Sequence, residues 1–295
     1  MIYLSSFRFL SRLEDEKFFS SSDIKVHQNC YTSEYPFVMF RDRGLPEKFE
    51  FQDITVFCGN NGSGKSTILN VIAEALAVNR GSLFNRSEYF DNYTELCSYE
   101  LAERIPSHSA IITSDDVFEG LLDIRRINEG IDSKRRVLID EWIENRDESA
   151  DARLHGIEDY DRWKRIVNSR RKKESQSKFL RSNLRGNITE RSNGESALSL
   201  FVNKIQDNAL YLLDEPENSL SPSNQLQLKY FLEDCVKSHG CQFIISTHSP
   251  FLLSLRGARI YDIDSVPMRV CKWTDLECVK VYQEFFEKKS FLFQK

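Results

Sequence analysis

No run of about eighteen apolar residues, the length a membrane-spanning helix needs, occurs in this 295-residue chain. Its N-terminal stretch carries Arg8 and Arg12 but no apolar segment of signal length. Neither a membrane-spanning nor a secreted protein is expected, and cytoplasmic localisation is. The seven cysteines (Cys30, Cys58, Cys97, Cys235, Cys241, Cys271 and Cys278) include no Cys-x-x-Cys pair, so the common zinc sites are not expected. Their odd number, with Cys58 closing an apolar run and Cys235 on the apolar face of a helix, suits reduced core thiols. A net charge of −5 gives no global reason for nucleic-acid binding, and no repeat of solenoid length is evident. With 40% hydrophobic and 29% charged residues, the length suits one large α/β domain or two smaller ones.

What the chain does contain is concentrated at Gly59-Asn60-Asn61-Gly62-Ser63-Gly64-Lys65-Ser66-Thr67. This is a complete phosphate-binding loop. Its glycines permit positive φ, so that successive backbone N–H groups can curl around phosphates. Lys65 has the reach for β- and γ-phosphates, the Ser66 hydroxyl for Mg²⁺, and Thr67 for the α-phosphate region. The flanking pattern agrees. Ile54–Cys58 is a buried strand by composition, and Ile68, Leu69, Ile72, Ala73 and Leu76 repeat at helical spacing, with Gly81 as the stop. A helix N-terminus would then point its dipole at the anion.

Strands are expected at Met1–Leu10 and Tyr35–Phe40, and Phe49–Cys58 leads into the loop. Strands ahead of the first βα unit imply an antiparallel sheet beside a parallel core. Leu83–Tyr99 has no clear assignment, and Ser109–Thr113 reads as a strand end followed by Asp115 and Asp116. From Gly120 to Arg191 charged residues dominate and strand signals vanish, which predicts an inserted helical lobe. Within 161–191 eleven basic residues face three acidic ones, a local charge of +8. Two readings stand: a solvated helical face or linker, and a surface for nucleic acid or an acidic partner. Leu198, Phe201, Val202 and Ile205 then form a helical stripe. Ser221-Pro222 opens another helix that Gly240 ends, and Thr274 with Glu277 predicts a capping box.

Ala209-Leu210-Tyr211-Leu212-Leu213-Asp214-Glu215-Pro216-Glu217 is an apolar strand that ends in adjacent carboxylates. Asp214 is the expected Mg²⁺ partner of Ser66, and Glu215 the expected general base toward water. The next strand, Gln242–Ser246, ends at His248, where a γ-phosphate contact is needed.

In this order of motifs the chain resembles an ATPase of the ATP-binding-cassette type over nearly its whole length. Arg191-Ser192-Asn193-Gly194-Glu195 stands at the signature position, departing from Leu-Ser-Gly-Gly-Gln at Arg191, Asn193 and Glu195. Asn218–Pro222 resembles the D-loop. The finer pattern, Asp214–Pro222 with Ser246–Pro250, is more similar to soluble SMC, RecF and OLD-type ATPases, often labelled AAA-family, of bacterial DNA repair and anti-phage defence.

That resemblance implies a P-loop NTPase with a mixed-sheet core, an N-terminal antiparallel β subdomain and an inserted helical lobe. The segments are 1–119, 120–191 and 192–295. It also implies Mg²⁺-dependent ATP hydrolysis by Lys65, Glu215 and His248. A homodimer would close around ATP, with Ser192 and Gly194 of one subunit capping the γ-phosphate on Lys65 of the other. The chain leaves no room for the nuclease domain of OLD-type proteins, so a separate effector protein is expected; DNA contact through the basic segment stays open. Where transporter cassettes carry a glutamine, Ser114-Asp115-Asp116 stands instead. Asp115 or Asp116 either ligates Mg²⁺ or water there, or caps the next helix. Two alternatives remain, a non-catalytic nucleotide-gated scaffold for a toxin or nuclease, and a transporter ATP-binding subunit.

Overall fold

The computed structural model describes residues 1–20, 34–147, 193–218 and 220–293. The chain divides into two compact units, one of 1–118 with 193–295 and one of 119–192. In chain order the first half holds β1 (Leu4–Arg8), α1 (Arg12–Phe19), a 3-10 turn at Phe37–Phe40, β2 (Phe49–Glu50) and β3 (Ile54–Cys58). Next come α2 (Lys65–Ala75), β4 (Asn79–Arg80), α3 (Phe90–Leu96), β5 (Ser98–Leu101), β6 (Ala110–Thr113) and α4 (Ser114–Asp147). The second half holds α5 (Asn193–Lys204), β7 (Leu210–Asp214), α6 (Pro222–Ser238), β8 (Gln242–Ser246) and the short α7 (Pro250–Leu253). It ends with β9 (Arg259–Asp262), β10 (Arg269–Cys271) and α8 (Glu277–Lys288).

The fold is an α/β P-loop architecture. Seven strands form one sheet in the order β10-β9-β3-β8-β7-β6-β4, parallel except at the β10–β9 edge. Three more form an antiparallel sheet, β2-β1-β5. The central strands β3, β7 and β8 are near-continuous apolar runs because both of their faces are covered. Register then aligns their ends. Phe57 pairs with Ser246, Ser246 with Asp214, and Asp214 with Thr113, so four strands terminate in one row. The loops leaving that row carry the functional motifs, as expected at the carboxyl edge of a parallel sheet.

Aromatic packing joins the two sheets. Phe9 and Tyr261 lie 5.5 and 4.9 Å from Phe49, ring centre to ring centre, and Phe57 lies 5.6 Å from Tyr261. Gln242 adds a polar seam inside this core. It is fully buried, yet its amide makes four hydrogen bonds. Its oxygen accepts from Tyr3 N (2.8 Å) and Leu4 N (2.9 Å), and its nitrogen donates to Leu4 O (2.9 Å) and Gln52 O (3.1 Å). Every donor and acceptor is used, which removes the cost of burying an amide.

Several local expectations are corrected. Tyr35–Phe40 is not a strand but a turn leading into the 3-10 element Phe37–Phe40: Met39 N bonds Pro36 O at 3.2 Å, and Phe37 stacks on Phe18 at 4.4 Å. Helix α2 ends at Ala75, well before Gly81, and Ala77 turns the chain with φ +50°. Gly81 serves close approach instead, since a Cβ there would lie 2.2 Å from Asp116 Oδ1. The Thr274–Glu277 box does not form; a 3-10 turn at Trp273–Asp275 leads into α8 with Leu276 at its cap and no side-chain bond. The basic stretch 161–191 lies outside the described residues.

Candidate nucleotide-binding site

Loop Gly59–Gly64 joins β3 to α2. Gly62 and Gly64 hold φ of +78° and +101°, which side-chain-bearing residues rarely adopt. At Gly59 a Cβ would meet Ile263 Cγ1 at 2.6 Å and Ser63 Oγ at 2.7 Å. Asn60 N donates to Asp264 Oδ2 at 2.7 Å, while Asn61 is exposed. The Arg43 guanidinium donates to the carbonyls of Ser63 and Gly62, bracing the loop from outside. Buried Ser63 Oγ has no hydrogen-bond partner among the described residues, a polar atom suited to an anion in the cradle.

Lys65 is 3% exposed, and its ammonium is fully engaged. It donates to Gly59 O (2.9 Å) and Asn60 O (3.1 Å) and lies 3.2 Å from Glu215 Oε1. Next to it, Ser66 Oγ donates to Asp214 Oδ1 at 3.0 Å, and Ser246 Oγ donates to the same oxygen. Burial raises the Asp214 carboxyl above its ordinary value, against the two serine hydroxyls and Lys65. Glu215 behaves oppositely. Burial would raise it, but hydrogen bonds from Asn218 and Lys65, with the charges of Lys65 and His248, hold it below its ordinary value. The two carboxylates are adjacent in sequence yet driven apart, which suits one to bind a cation and the other to remain ionised beside it.

Glu215 has φ +46°, a strained backbone for a residue with a side chain, costing about 1–3 kcal/mol. Its N–H bonds Ser246 O at 3.1 Å, and Asn218 Nδ2 donates to Oε2 at 3.0 Å. The strained turn carries the carboxylate across to Lys65.

Asp115 and Asp116 separate into two roles. Asp116 is buried, and its Oδ2 accepts from Thr113 N (2.8 Å) and Thr113 Oγ1 (2.9 Å), while its own N–H donates to Thr113 Oγ1 at 3.2 Å. That reciprocal pair caps α4. Asp115 is exposed and, with Ser66, Asp214 and Glu215, lines a cavity of about 1100 Å³. Arg86 lines it too, while Thr67 Oγ1 accepts from Tyr35 OH at 3.2 Å and faces Met39 Sδ at 3.2 Å. Ser66, Asp214 and Asp115 offer oxygen donors only, which fits Mg²⁺, a hard cation that keeps phosphate and water ligands.

His248 is half exposed, and its N–H donates to Glu217 Oε1 at 2.9 Å. Gly194 falls in the first turn of α5, and Ser192 lies outside the described residues. Sequence reasoning missed Arg43, for which no local signal exists. It also missed Glu217, whose signal was the repeated glutamate in Asp-Glu-Pro-Glu. Among the described residues, no helix is long and apolar enough to cross a membrane.

The ABC transporter family model matches residues 45–218, more than half of the chain, and the AAA ATPase domain model matches 194–253. No curated protein matches. Among solved structures, the SMC head domain from Thermotoga maritima is 15% identical with a TM-score of 0.41, covering 92% of this chain and 99% of that one. The Smc head domain derived from Pyrococcus furiosus, bound to the C-terminal domain of ScpA, is 16% identical with a TM-score of 0.38, covering 82% and 95%. At these scores the likeness speaks to neither function nor partner. With its phosphate loop, its Asp-Glu strand and a family match running from Leu45 through both, the chain belongs to the ABC transporter family of P-loop ATPase domains.

Proposed function

We propose that the chain is a Mg²⁺-dependent ATPase that works as a switch: two copies close around ATP, and hydrolysis reopens them. The observation that carries this reading is the contact of Lys65 with Glu215 beside the Ser66–Asp214 pair. Together they hold a phosphate-binding cation, a cation-ligating pair and an ionised carboxylate at one row of strand ends. Lys65 would hold β- and γ-phosphates and Ser63 would donate to them. Glu215 would orient and deprotonate the attacking water, and His248 would contact the γ-phosphate. Mg²⁺ on Ser66 and Asp214, with Asp115 the further oxygen donor at hand, would screen the phosphate charge.

The dimer rests on the family's motif order, in which Ser192 and Gly194 of one copy cap the nucleotide of the other. The switch would act on a separate effector protein or on DNA, in repair or in anti-phage defence. The +8 charge of 161–191 supports contact with phosphates or an acidic partner.

Glu215→Gln tests the core of the reading. It keeps the hydrogen-bonding shape, loses the base, and should bind ATP while losing turnover by about 10² or more. It should also accumulate an ATP-bound dimer by light scattering. Parental turnover in this variant would remove Glu215 as the base, and an ATP-hydrolysing protein that stays monomeric at every concentration would remove the sandwich.

A further inference from the structure

The turn after β7 holds a third carboxylate, Glu217, which the phosphate loop does not touch. Glu217 is 6% exposed. Its Oε1 accepts three hydrogen bonds, all from the loop that leaves β8: Thr247 Oγ1 at 2.6 Å, His248 N at 2.9 Å and Ser249 N at 3.2 Å. The same oxygen lies 3.6 Å from His248 Nδ1. Neither Glu217 Oε2 nor His248 Nδ1, both buried atoms, has a hydrogen-bond partner among the described residues. A buried carboxylate and a buried ring nitrogen thus face each other slightly beyond hydrogen-bonding distance, on the two loops that bracket the proposed γ-phosphate position.

This arrangement does more than anchor a loop. An anchor needs only the three bonds to Oε1, which a glutamine could accept equally well. The negative charge becomes necessary only for the imidazole. A carboxylate beside Nδ1 favours a proton there, and its charge offsets that of the doubly protonated ring, the form whose Nε2–H donates to a phosphate oxygen. A rotation of the ring that closes a few tenths of an ångström would make the bond. Burying an ionised carboxylate is otherwise unfavourable, even with three donors on one oxygen.

We propose that Glu217 is a positioning residue for ATP turnover: it draws the Thr247–Ser249 loop onto the end of β7 and fixes His248 in its Nδ1-protonated form. The proposal rests on the reading of His248 as a γ-phosphate contact. It ties the strand end carrying Asp214 and Glu215 to the loop carrying the histidine, so the two halves of the hydrolytic machinery move together.

Glu217→Gln separates the two roles, because the amide oxygen still accepts the three loop donors while the charge is gone. Turnover and binding are measured in the parent, Glu217→Gln, His248→Ala and the double variant. The expected result is a kcat lowered about tenfold with KM within about twofold for Glu217→Gln, and a double variant no slower than His248→Ala alone. Parental kcat in Glu217→Gln makes the residue an anchor only, and losses that multiply in the double variant show that it acts without His248; either result overturns the proposal.

A second measurement needs no catalysis. In protein labelled with ¹⁵N-histidine, with His248 assigned by its loss in His248→Ala, the Nδ1 signal should be that of a protonated nitrogen and should change in Glu217→Gln. A ring protonated on Nε2 alone in the parent, or an unchanged signal in the variant, overturns the proposal. Were the parent to hydrolyse no ATP, the reading of function would fail by itself while the tautomer assignment stayed measurable. If Glu217→Gln does not fold, Glu217→Asp, which keeps the charge but shortens the reach, takes its place; an unchanged Nδ1 signal there likewise refutes the proposal.

Discussion

Lys65 Nζ stands 3.2 Å from Glu215 Oε1, a nearly buried ammonium held against a carboxylate at the end of β7, two strands across the sheet from β3. The contact gives Lys65 its own counter-charge, so a phosphate arriving at the loop must compete with Glu215 for the same proton donors. Two variants therefore move affinity in opposite directions. Lys65→Ala should weaken Mg-ATP binding by about tenfold to a hundredfold, the worth of a charge-assisted contact. Glu215→Gln should hold ATP at least as tightly as the parent. Titration with a fluorescent nucleotide checks both, and a Lys65→Ala protein with parental affinity would take the phosphate-binding role away from this loop.

Asp214 gives a prediction that depends on pH. Its carboxyl is raised above the unfolded value of 3.8 by burial, so the folded protein holds that proton more tightly than the unfolded chain does. Ionising it costs stability, and the cost is complete once pH has passed the raised folded value. Asp214→Asn keeps an oxygen for Ser66 and Ser246 but cannot ionise. Without nucleotide the variant should melt higher than the parent near neutral pH, and the gap should narrow as pH falls toward 3.8. Glu215→Gln should show the opposite trend, because the lowered Glu215 carboxyl adds stability above 4.5 that is lost on acidification. Calorimetry from about pH 4 to 8 distinguishes them. A parent that melts above Asp214→Asn throughout would show that burial does not penalise this carboxylate.

A third prediction concerns the start of α4. Asp116→Ala removes the reciprocal bonds with Thr113 and should cost about 1–2 kcal/mol of stability. Gly81→Ala should destabilise the parent, since its Cβ would lie 2.2 Å from Asp116 Oδ1, and should be better tolerated in the Asp116→Ala background. Thermal unfolding of the two single variants and the double measures the coupling; strictly additive losses would mean that the two residues do not press on one another.

The parts of this molecule that were legible in the sequence are those fixed by short-range chemistry. A glycine loop between a strand and a helix, and a buried run ending in Asp214-Glu215, state their geometry locally. Gln242–Ser246 is legible to the residue because the apolar run Phe243–Ile245 between polar ends has little else it can be. Tyr35–Phe40 misleads because a short run of aromatic and aliphatic residues suits a strand and a cluster equally well, and tertiary packing on Phe18 decides between them. Strands β9 and β10 are short and partly polar, so only pairing with β3 and with each other defines them. Asp115 and Asp116 could not be told apart until Thr113 supplied the partner that makes one of them a cap. Arg43 acts across a separation of 20 residues with no local pattern pointing to it, and the second glutamate of Asp-Glu-Pro-Glu marks Glu217 without showing that its partners lie 30 to 32 residues on.

The amide of Gln242 closes contacts with Tyr3 and Leu4 across separations of 239 and 238 residues. The N–H groups of Tyr3 and Leu4 therefore wait for about the last fifth of the polypeptide before this partner exists. On the ribosome, the N-terminal segment would emerge long before its partner exists. Entropy sets the same order in refolding, because the largest loop closes last and the central parallel strands must be in place to present Gln242. The seam between the antiparallel sheet and β8 is therefore expected to be a latch that fastens late in folding. Interrupting synthesis or cutting the chain before Gln242 should leave Phe7, Phe9 and Phe49 exposed as an adhesive surface, so a truncated product is expected to aggregate rather than persist as a smaller ATPase.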